Sequence, residues 1–535
     1  MTEGNHHAGH ILPEDTKRTS GRNAQQLNIL AAKLVAETVR TTLGPKGMDK
    51  MIVDGMGEVV VTNDGVTILE EIHLEHPVAK MIVEVAKTQE NEVGDGTTTA
   101  VVLAGELLKQ AERLLEQKVH PTLITKGYQL ASEKAQEILK GMAEDVLPSN
   151  GSLLLKMGST AMTGKGAEIA KDHLSKLAVD AVASIRDKES LSETIKVEKK
   201  LGGRVEDSEL IRGIVLDKER LHSSMPKDVS DARIALLDCS IEVKSTETDA
   251  KIQITDPEKM QSFLDMEEAM LKKMVERILH TGATVVLCQK GVDDLAQHFL
   301  AKAGVYCCRR VKKSDMEKLA KATSGRIVSS IDDLSDMDLG RAGVVQEVMV
   351  NEEGMTYVRN CQNPQAVTLL IRGGSDHVIQ EVERAMEDAL GVLETALREG
   401  HAVGGAGSAE IRTAIELRKF AERLSGREQL AIHAFANALE VIPTTLAENA
   451  GLDPLDVLTE LKAAHEQGER WAGINVFSGK VMNGCEEGVI EPLQVKTQAI
   501  SSASEVATMI LRIDDVIAGK PEGREDRSPG AGLEY

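Results

Sequence analysis

Val93-Gly94-Asp95-Gly96-Thr97-Thr98-Thr99-Ala100, with the apolar-periodic run that follows to Gln117, is the stretch around which the chain reads. Two glycines bracket one acid, so the backbone can turn tightly and come close to a ligand. Three threonines then open a helix, because Ala100, Ala104, Leu107, Ala111 and Leu114 recur at three- and four-residue spacing. A helix start leaves unpaired N–H groups and the positive end of a dipole, which suits a phosphate. Asp95 cannot bind that phosphate itself, but it can hold a Mg2+ that bridges to it. The same residues also read as an ordinary helix N-terminus with Asp and Thr caps. Alone, they leave both readings open.

The chain around this loop has 535 residues, too many for one core, so roughly two to four domains are expected. Hydrophobic content is 41% and charged content 28%, ordinary for a soluble globular protein. Aromatics are only 2%, so the core is built from Ala, Val, Leu, Ile and Met. A net charge of −22 argues against nucleic-acid partners, and the cluster Arg309, Arg310, Lys312, Lys313 reads as a solvated edge. The six cysteines include no C-x-x-C pair, which fits a reducing cytoplasm and neither a zinc ribbon nor a thioredoxin-like site. His6, His7 and His10 read as part of a polar tail. The N-terminus has no apolar signal region and no run is long enough to span a bilayer, so no membrane is expected.

Leu27, Leu30, Leu34, Val35, Val39 and Leu43 mark one stripe of a helix that ends at Gly44-Pro45. Residues 51–61 read as a hairpin running into Asn63-Asp64-Gly65. Helices follow from Pro77 to the 93–99 loop, beyond that loop, and over about 121–143. Thr163-Gly164-Lys165-Gly166 makes a second Gly-rich loop. Between 200 and 360 the predicted strands 214–216, 234–237, 252–255, 284–287 and 305–307 alternate with helices 257–280, 291–303 and 314–322. That rhythm suggests an α/β domain. A strand over 366–372 precedes a helix from Ser375 to about 399, broken by the glycines of 404–407, and the rest is mostly helical. The order is helical, α/β, helical, which invites the idea that the two ends share one domain.

Familiar phosphate motifs are absent. A Walker loop would need Gly at Ser159 and a hydroxyl at Gly166, and no strand is followed by G-x-G-x-x-G. What remains is Asp64 and Asp95 in Gly-rich turns and Lys165 in a third. Asp388, on the 375–399 helix, has small neighbours Ala385 and Gly391 three residues away on either side. A glycine there costs about 1 kcal/mol against Ala, which implies close approach of something to that face. The alternative is a surface ion pair of Asp388 with Arg384.

The stretches Ile11-Leu12-Pro13-Glu14, Thr42 to Lys50, Asn63-Asp64-Gly65, Gly94 to Thr99, Thr163 to Gly166, Asp238-Cys239, Arg372-Gly373-Gly374, Asp388-Ala389-Leu390 and Gly488 to Pro492 together resemble the group II chaperonins, the archaeal thermosome class akin to the eukaryotic cytosolic chaperonin. The resemblance covers about residues 11 to 515. It implies a multi-domain α plus α/β chaperonin fold. A mostly helical equatorial ATPase domain would take 1–147 and 403–535. A small split intermediate domain would take 148–217 and 368–402. An α/β apical domain would take 218–367, with a helical protrusion over about 240–275.

The resemblance also implies roles. Leu43, Gly44 and Pro45 are similar to the loop packed on nucleotide, and Gly94, Gly96, Thr97, Thr98 and Thr99 to the phosphate cradle. Asp95 resembles the Mg2+ ligand. Asp64 and Asp388 resemble the pair that orients and activates the attacking water, an economical arrangement for phosphoryl transfer. Lys165 resembles the γ-phosphate sensor, Gly405 and Gly407 belong to a Gly-rich nucleotide segment, and Glu491 stands where an acid meets the ribose. Met260, Phe263 and Leu264, with Met266 and Met270, would offer apolar surface to non-native polypeptide. ATP and Mg2+ are then the cofactors. The partners are substrate polypeptides and other subunits of a double ring, with a built-in lid and no separate lid co-chaperonin. Three departures stand out: Ala406 within the family's triple glycine, Asn475 for an acid, and Asn483-Gly484 for Asp-Met. They motivate an alternative, a ring subunit that binds ATP but hydrolyses it weakly. A small-molecule kinase is a further alternative, but no residues for its substrate pocket are found.

Overall fold

The computed structural model describes residues 17–53, 55–72, 74–147, 150–185, 191–243, 257–350, 353–361 and 366–518, apart from the side chains of 17, 169, 192, 193, 257–260 and 518. The His6–His10 tract, the expected strand 252–255, the first part of the expected protrusion and the polar C-terminal tail lie outside these residues.

Both ends of the chain build one core. Helices Arg22–Arg40, Pro77–Val93, Thr97–Glu116 and Pro121–Met142 pack with Ser408–Ala421, Glu428–Leu439 and Leu493–Leu511. Their buried side chains form one apolar cluster reaching from Ile29 to Leu511. Pro77 and Pro121 each sit in a first helical turn, where a missing N–H costs nothing. The preceding His76 and His120 rings accept hydrogen bonds from Val78 N (3.2 Å) and Thr122 N (3.3 Å). Outside the helices, Lys17–Ser20 pairs antiparallel with Asp515–Ala518.

The first helix corrects the expected stripe. Leu27, Leu30 and Leu34 are exposed, and the packed face is Ala24, Asn28, Ile29, Ala32, Val35, Ala36 and Val39. That face is made small so that the helix can lie close to Thr97–Glu116, where Gly105 leaves no room for a Cβ beside Ala36. A second correction concerns Glu428–Asn449, which is long and apolar enough to cross a bilayer by length and composition. Of its most apolar window 72% is buried inside the protein, as a core helix pair would be.

A second cluster lies between this core and the rest. Helices Gly151–Met162, Lys171–Ser184 and Asp376–Glu399 cover a three-stranded sheet. Its central strand Val367–Gly373 pairs parallel with Ile195–Leu201 and antiparallel with Glu209–Ile211. Ser375 caps the long helix by accepting from Val378 N at 3.4 Å. The helix ends earlier than the 404–407 glycines, at the left-handed Gly400 (φ +69°), and a strand His401–Gly404 follows.

The middle of the chain folds on a seven-stranded mixed sheet. Strands Tyr306–Cys308, Val285–Cys288 and Asp228–Leu237 run parallel, Gly340–Val350, Glu353–Arg359 and Gly213–Leu216 continue it antiparallel, and the short Ile327–Val328 pairs parallel with the end of Asp228–Leu237. Apolar clusters cover both faces. The architecture is therefore multi-domain α plus α/β.

Helix Pro257–His280 lies along this unit. Leu271, Val275 and Ile278 pack against the sheet, while Phe263, Leu264, Met266 and Met270 are exposed. Met260 is in the same helix by its backbone, and its side chain is outside the described ones.

Candidate functional site

Gly94 ends helix Pro77–Val93 and Gly96 begins helix Thr97–Glu116, both in the left-handed region at φ +78° and +82°. Asp95 is pinned between them. Its carbonyl accepts from Gln89 Nε2 at 2.8 Å, and Gln89 also donates to Val495 O at 3.1 Å, which ties the loop to the last long helix. The Asp95 carboxylate accepts from Gly96 N at 2.7 Å. No side chain caps the Thr97 helix, so its first N–H groups and its positive dipole end face the space beside Asp95.

Three other loops converge there. Asp64 caps the short helix Gly65–Glu71, accepting from Thr67 N and Thr67 Oγ1, each at 2.8 Å. Gly65 lets this turn abut the Thr97 helix, since a Cβ on it would lie 2.6 Å from Thr98 Oγ1. Asn63 Nδ2 donates to Gly164 O, while Asn63 Oδ1 is buried with no partner. Gly164, at φ +81°, presses on the first loop, where a Cβ would meet Gly44 O at 2.8 Å.

Lys165 projects from that crossing. Its ammonium pairs with Asp388 Oδ2 and stands 3.8 Å from Asp95 Oδ1. Arg384, the expected alternative partner of Asp388, pairs with Glu381 instead. Burial works against the charge on Lys165, but Asp388, Asp95 and Asp64 more than offset it and raise its pKa. Burial pushes Asp388 up from the ordinary carboxylate range, Lys165 opposing and Asp64 and Asp95 adding to the shift. Three carboxylates thus share one ammonium in a site largely shielded from water, which leaves negative charge that a divalent cation would balance.

Two adjoining cavities result. The smaller, about 120 Å³, is lined by Asn63, Asp64, Asp95, Gly96, Thr97, Thr98, Thr99, Gly164 and Lys165. The larger, about 400 Å³, is lined by Pro45, Gly407, Ile474, Asn475, Phe477, Met482, Glu491 and Lys496 among others. Leu43, Gly44, Asp95, Gly96 and Thr99 border both. A polar end with free helix N–H groups joined to an apolar-walled end suits a phosphorylated ligand with a flat ring system. Among the described residues no three His, Cys, Asp or Glu side chains are placed to hold a metal by themselves. A Mg2+ here would therefore be held by Asp95 with phosphate oxygens and water, which is how that ion binds in phosphate sites.

Not every expected residue lines these cavities. Gly94 and Asp388 border a neighbouring cleft of about 740 Å³, and Asp388 meets the site through Lys165. Gly94 is packed on Gly391, where a Cβ would lie 2.9 Å from Gly94 Cα; this is the close approach that the helix glycine implied. Gly405 stands behind Glu491, where a Cβ would come within 2.6 Å of Glu491 Oε1. Phe263, Leu264 and the Met260 position are on the separate helix Pro257–His280. Gln89, Thr160 and Lys496 at the site, and Glu410 beneath it, carry no signal in the sequence, because nothing in a local pattern distinguishes a polar residue turned inward from a surface one.

The departures have local explanations. Asn475 Oδ1 accepts from Phe477 N (3.0 Å) and Ser478 N (3.1 Å), and Asn483 caps helix Gly484–Glu487 by accepting from Cys485 N at 3.2 Å. Both oxygens do what an Asp oxygen would do in the same turns. Ala406 is different: its φ is +56°, a left-handed backbone that strains any residue with a Cβ. Ala406→Gly is expected to stabilise the protein by about 1 kcal/mol, because relief of strain exceeds the added freedom of the unfolded chain. A urea midpoint that does not rise would show that the surroundings already absorb the strain.

Residues 35–521 match the pattern of the TCP-1/cpn60 chaperonin family. The chain is 61% identical over 515 residues to the thermosome subunit of Methanopyrus kandleri, covering 95% of this chain and 94% of that protein. It is 59% identical to thermosome subunit beta of Archaeoglobus fulgidus (98% and 97% covered) and 58% identical to the thermosome subunit of Methanocaldococcus jannaschii (98% and 97% covered). With its uncapped helix N-terminus, its crowded acids and its helical, α/β, helical order, the chain belongs to the TCP-1/cpn60 chaperonin family.

Proposed function

We propose that this chain is an ATP-hydrolysing subunit of a double-ring group II chaperonin, which encloses and folds non-native polypeptide in the cytoplasm. The observation that carries the reading is the meeting of Asp64 and Asp95 from one side with Lys165 and Asp388, from the core that holds helix Asp376–Glu399, on the other. The core formed by both chain ends is the equatorial domain (1–147 and 403–535). The cluster around Asp376–Glu399 is the intermediate domain (148–217 and 368–402), and the seven-stranded unit is the apical domain (218–367).

Mg2+, when bound with ATP, neutralises phosphate charge, and Asp95 is the residue that holds it. The N–H groups of Thr97, Thr98 and Thr99 take the phosphates, with Leu43, Gly44, Pro45, Gly94 and Gly96 giving the backbone room to approach. Asp64 and Asp388 orient the attacking water and take its proton. Lys165, now paired with Asp388, exchanges that partner for the terminal phosphate. Glu491 accepts from the ribose, and Gly405 and Gly407 let the 404–407 turn lie against the sugar. Because Asp388 comes from a different core than Asp64, closure of one core on the other governs hydrolysis.

The weak-hydrolysis alternative is not favoured: the altered Asn475 and Asn483 keep the hydrogen bonds of acids, and the acids around Lys165 are all present. Mg2+-dependent phosphate release by the purified chain, with rings of stacked subunits in electron micrographs, tests the reading. Turnover no faster than that of Asp388→Ala would overturn it.

The exposed Phe263, Leu264, Met266 and Met270, with Met260, form the substrate-facing side of a lid built from this chain, so no separate lid protein is required. Deleting 244–270 is expected to leave ATP hydrolysis within about two-fold while abolishing enclosure, since the described part of that segment, 257–270, lines neither cavity of the site. The readout is protease resistance of a bound substrate protein; persistent protection rules out the lid assignment.

A further inference from the structure

Beneath the larger cavity lies a set of buried charges that the phosphate chemistry does not use. Lys496, in helix Leu493–Leu511, is 5% exposed. Its ammonium is 2.9 Å from Glu410 Oε1 and 2.9 Å from Glu491 Oε2. Glu410 is 4% exposed, in the first turn of helix Ser408–Ala421, and its Oε2 is buried without a partner. One cation between two carboxylates leaves a net negative charge out of water. For stability alone, apolar residues of the same volume would serve as well or better.

The geometry gives this set another use. Glu491 and Lys496 both line the cavity, and Glu410 does not. Lys496 anchors Glu491 Oε2, and the second oxygen, Oε1, rests where Gly405 has no Cβ to displace it. The carboxylate is thereby held with one oxygen uncommitted to the lysine. If Lys496 faced Glu491 alone, the ion pair would spend most of the acceptor strength of that carboxylate. Glu410 shares the ammonium, so Glu491 keeps more negative charge. Without the lysine, burial would drive Glu491 towards its protonated form, a poor acceptor; burial already pushes it up, and Lys496 opposes that shift.

We propose that Lys496 and Glu410 are positioning residues that set the orientation and charge of Glu491 towards sugar hydroxyls, so that the site selects ribonucleotides over deoxyribonucleotides. The proposal rests on the reading of Glu491 as the ribose contact. A hydroxyl donating to a charged acceptor in a shielded site discriminates strongly, because an analogue that lacks the hydroxyl leaves the acceptor unpaired.

The test uses the assembled full-length protein and compares ATP with 2′,3′-dideoxy-ATP. Glu410→Gln keeps the side-chain volume and removes the competing charge. It is expected to raise KM for ATP about ten-fold, with kcat changed less than about two-fold and KM for the dideoxy nucleotide unaltered. A purely structural role would lower thermal stability and leave the ratio of the two KM values where it was. Glu491→Gln separates the two layers of the argument. If Glu491→Gln loses the discrimination and Glu410→Gln retains it, the positioning role is overturned while the ribose contact stands. If neither variant loses it, the ribose contact falls and the proposal falls with it. Lys496→Met is expected to lose the discrimination too; should that variant fail to fold, Glu410→Gln still decides.

Discussion

Asp388→Ala lowers steady-state phosphate release by about 10²–10⁴-fold and leaves ATP binding near that of the unaltered protein, the loss expected when a positioned general base is removed. Asp388 contributes no wall to either nucleotide cavity. Its carboxylate lies on the far side of Lys165, so its removal takes away no contact that holds the nucleotide. It also frees the Lys165 ammonium, which among the described residues then has only the Asp95 carboxylate, at 3.8 Å, within ion-pair reach and is available to the terminal phosphate. Asp64→Ala is expected to lose hydrolysis and keep binding for a different reason: Asp64 lines the smaller cavity from the opposite core, but a carboxylate gives phosphate no favourable contact to lose. Phosphate release and equilibrium dialysis with ATP give the two readouts. Loss of binding in both variants would show that these acids hold the nucleotide and do not direct water.

The second large effect is at Gly391. Helix Asp376–Glu399 crosses the end of helix Pro77–Val93 backbone to backbone, and a Cβ at 391 would stand 2.9 Å from Gly94 Cα and 3.6 Å from Val93 O. Main-chain atoms cannot rotate aside as a side chain can. Gly391→Val therefore forces the helices apart, an overpacking that costs about 1–3 kcal/mol. Helix propensity alone would favour the change by up to about 1 kcal/mol, so the sign of the stability change tells which effect wins. Asp388 is one turn before Gly391 and moves with the helix. A displacement of about 1 Å can cost 10²-fold in rate, and hydrolysis by Gly391→Val is expected to fall by that order. Normal hydrolysis with an unchanged unfolding midpoint would show that this contact does not position Asp388.

Much of this site was legible because it is local. A carboxylate between two glycines at a helix start announces itself in eight residues, and Gly391 inside a helix announced a close contact without naming Gly94. The partners were not legible. Asp388 and Lys165 are 223 residues apart and meet only through the fold. On the first helix, leucines and small residues both repeat at helical spacing, and the packed face follows from the neighbour, which demands small side chains. Strand Ile195–Leu201 was missed for another reason. Its Lys196 and Lys200 are buried, and a hydropathy pattern reads buried lysines as surface. Lys196 is neutralised by Glu198 (2.7 Å) and Asp315 (2.8 Å), and Lys200 by Asp217 and Glu353. The antiparallel pair Gly340–Val350 and Glu353–Arg359 is hard to read likewise, since Arg341, Gln346, Glu347, Glu353 and Arg359 interrupt its apolar residues.

The shared core of the two chain ends has a consequence for synthesis. Helix Thr97–Glu116 rests on helix Leu493–Leu511, and Lys17–Ser20 pairs with Asp515–Ala518. At about 5–20 residues per second, the early helices leave the ribosome tens of seconds before the segment that covers them exists. For that interval Val85 and Ala100, which cluster with Ala499 in the finished protein, have no permanent cover on that side, whereas the seven-stranded unit, built from one continuous stretch, can fold as it emerges. The nascent subunit thus presents exposed apolar helices to its surroundings, and holding factors or an existing ring that shield them would raise the yield of new subunits.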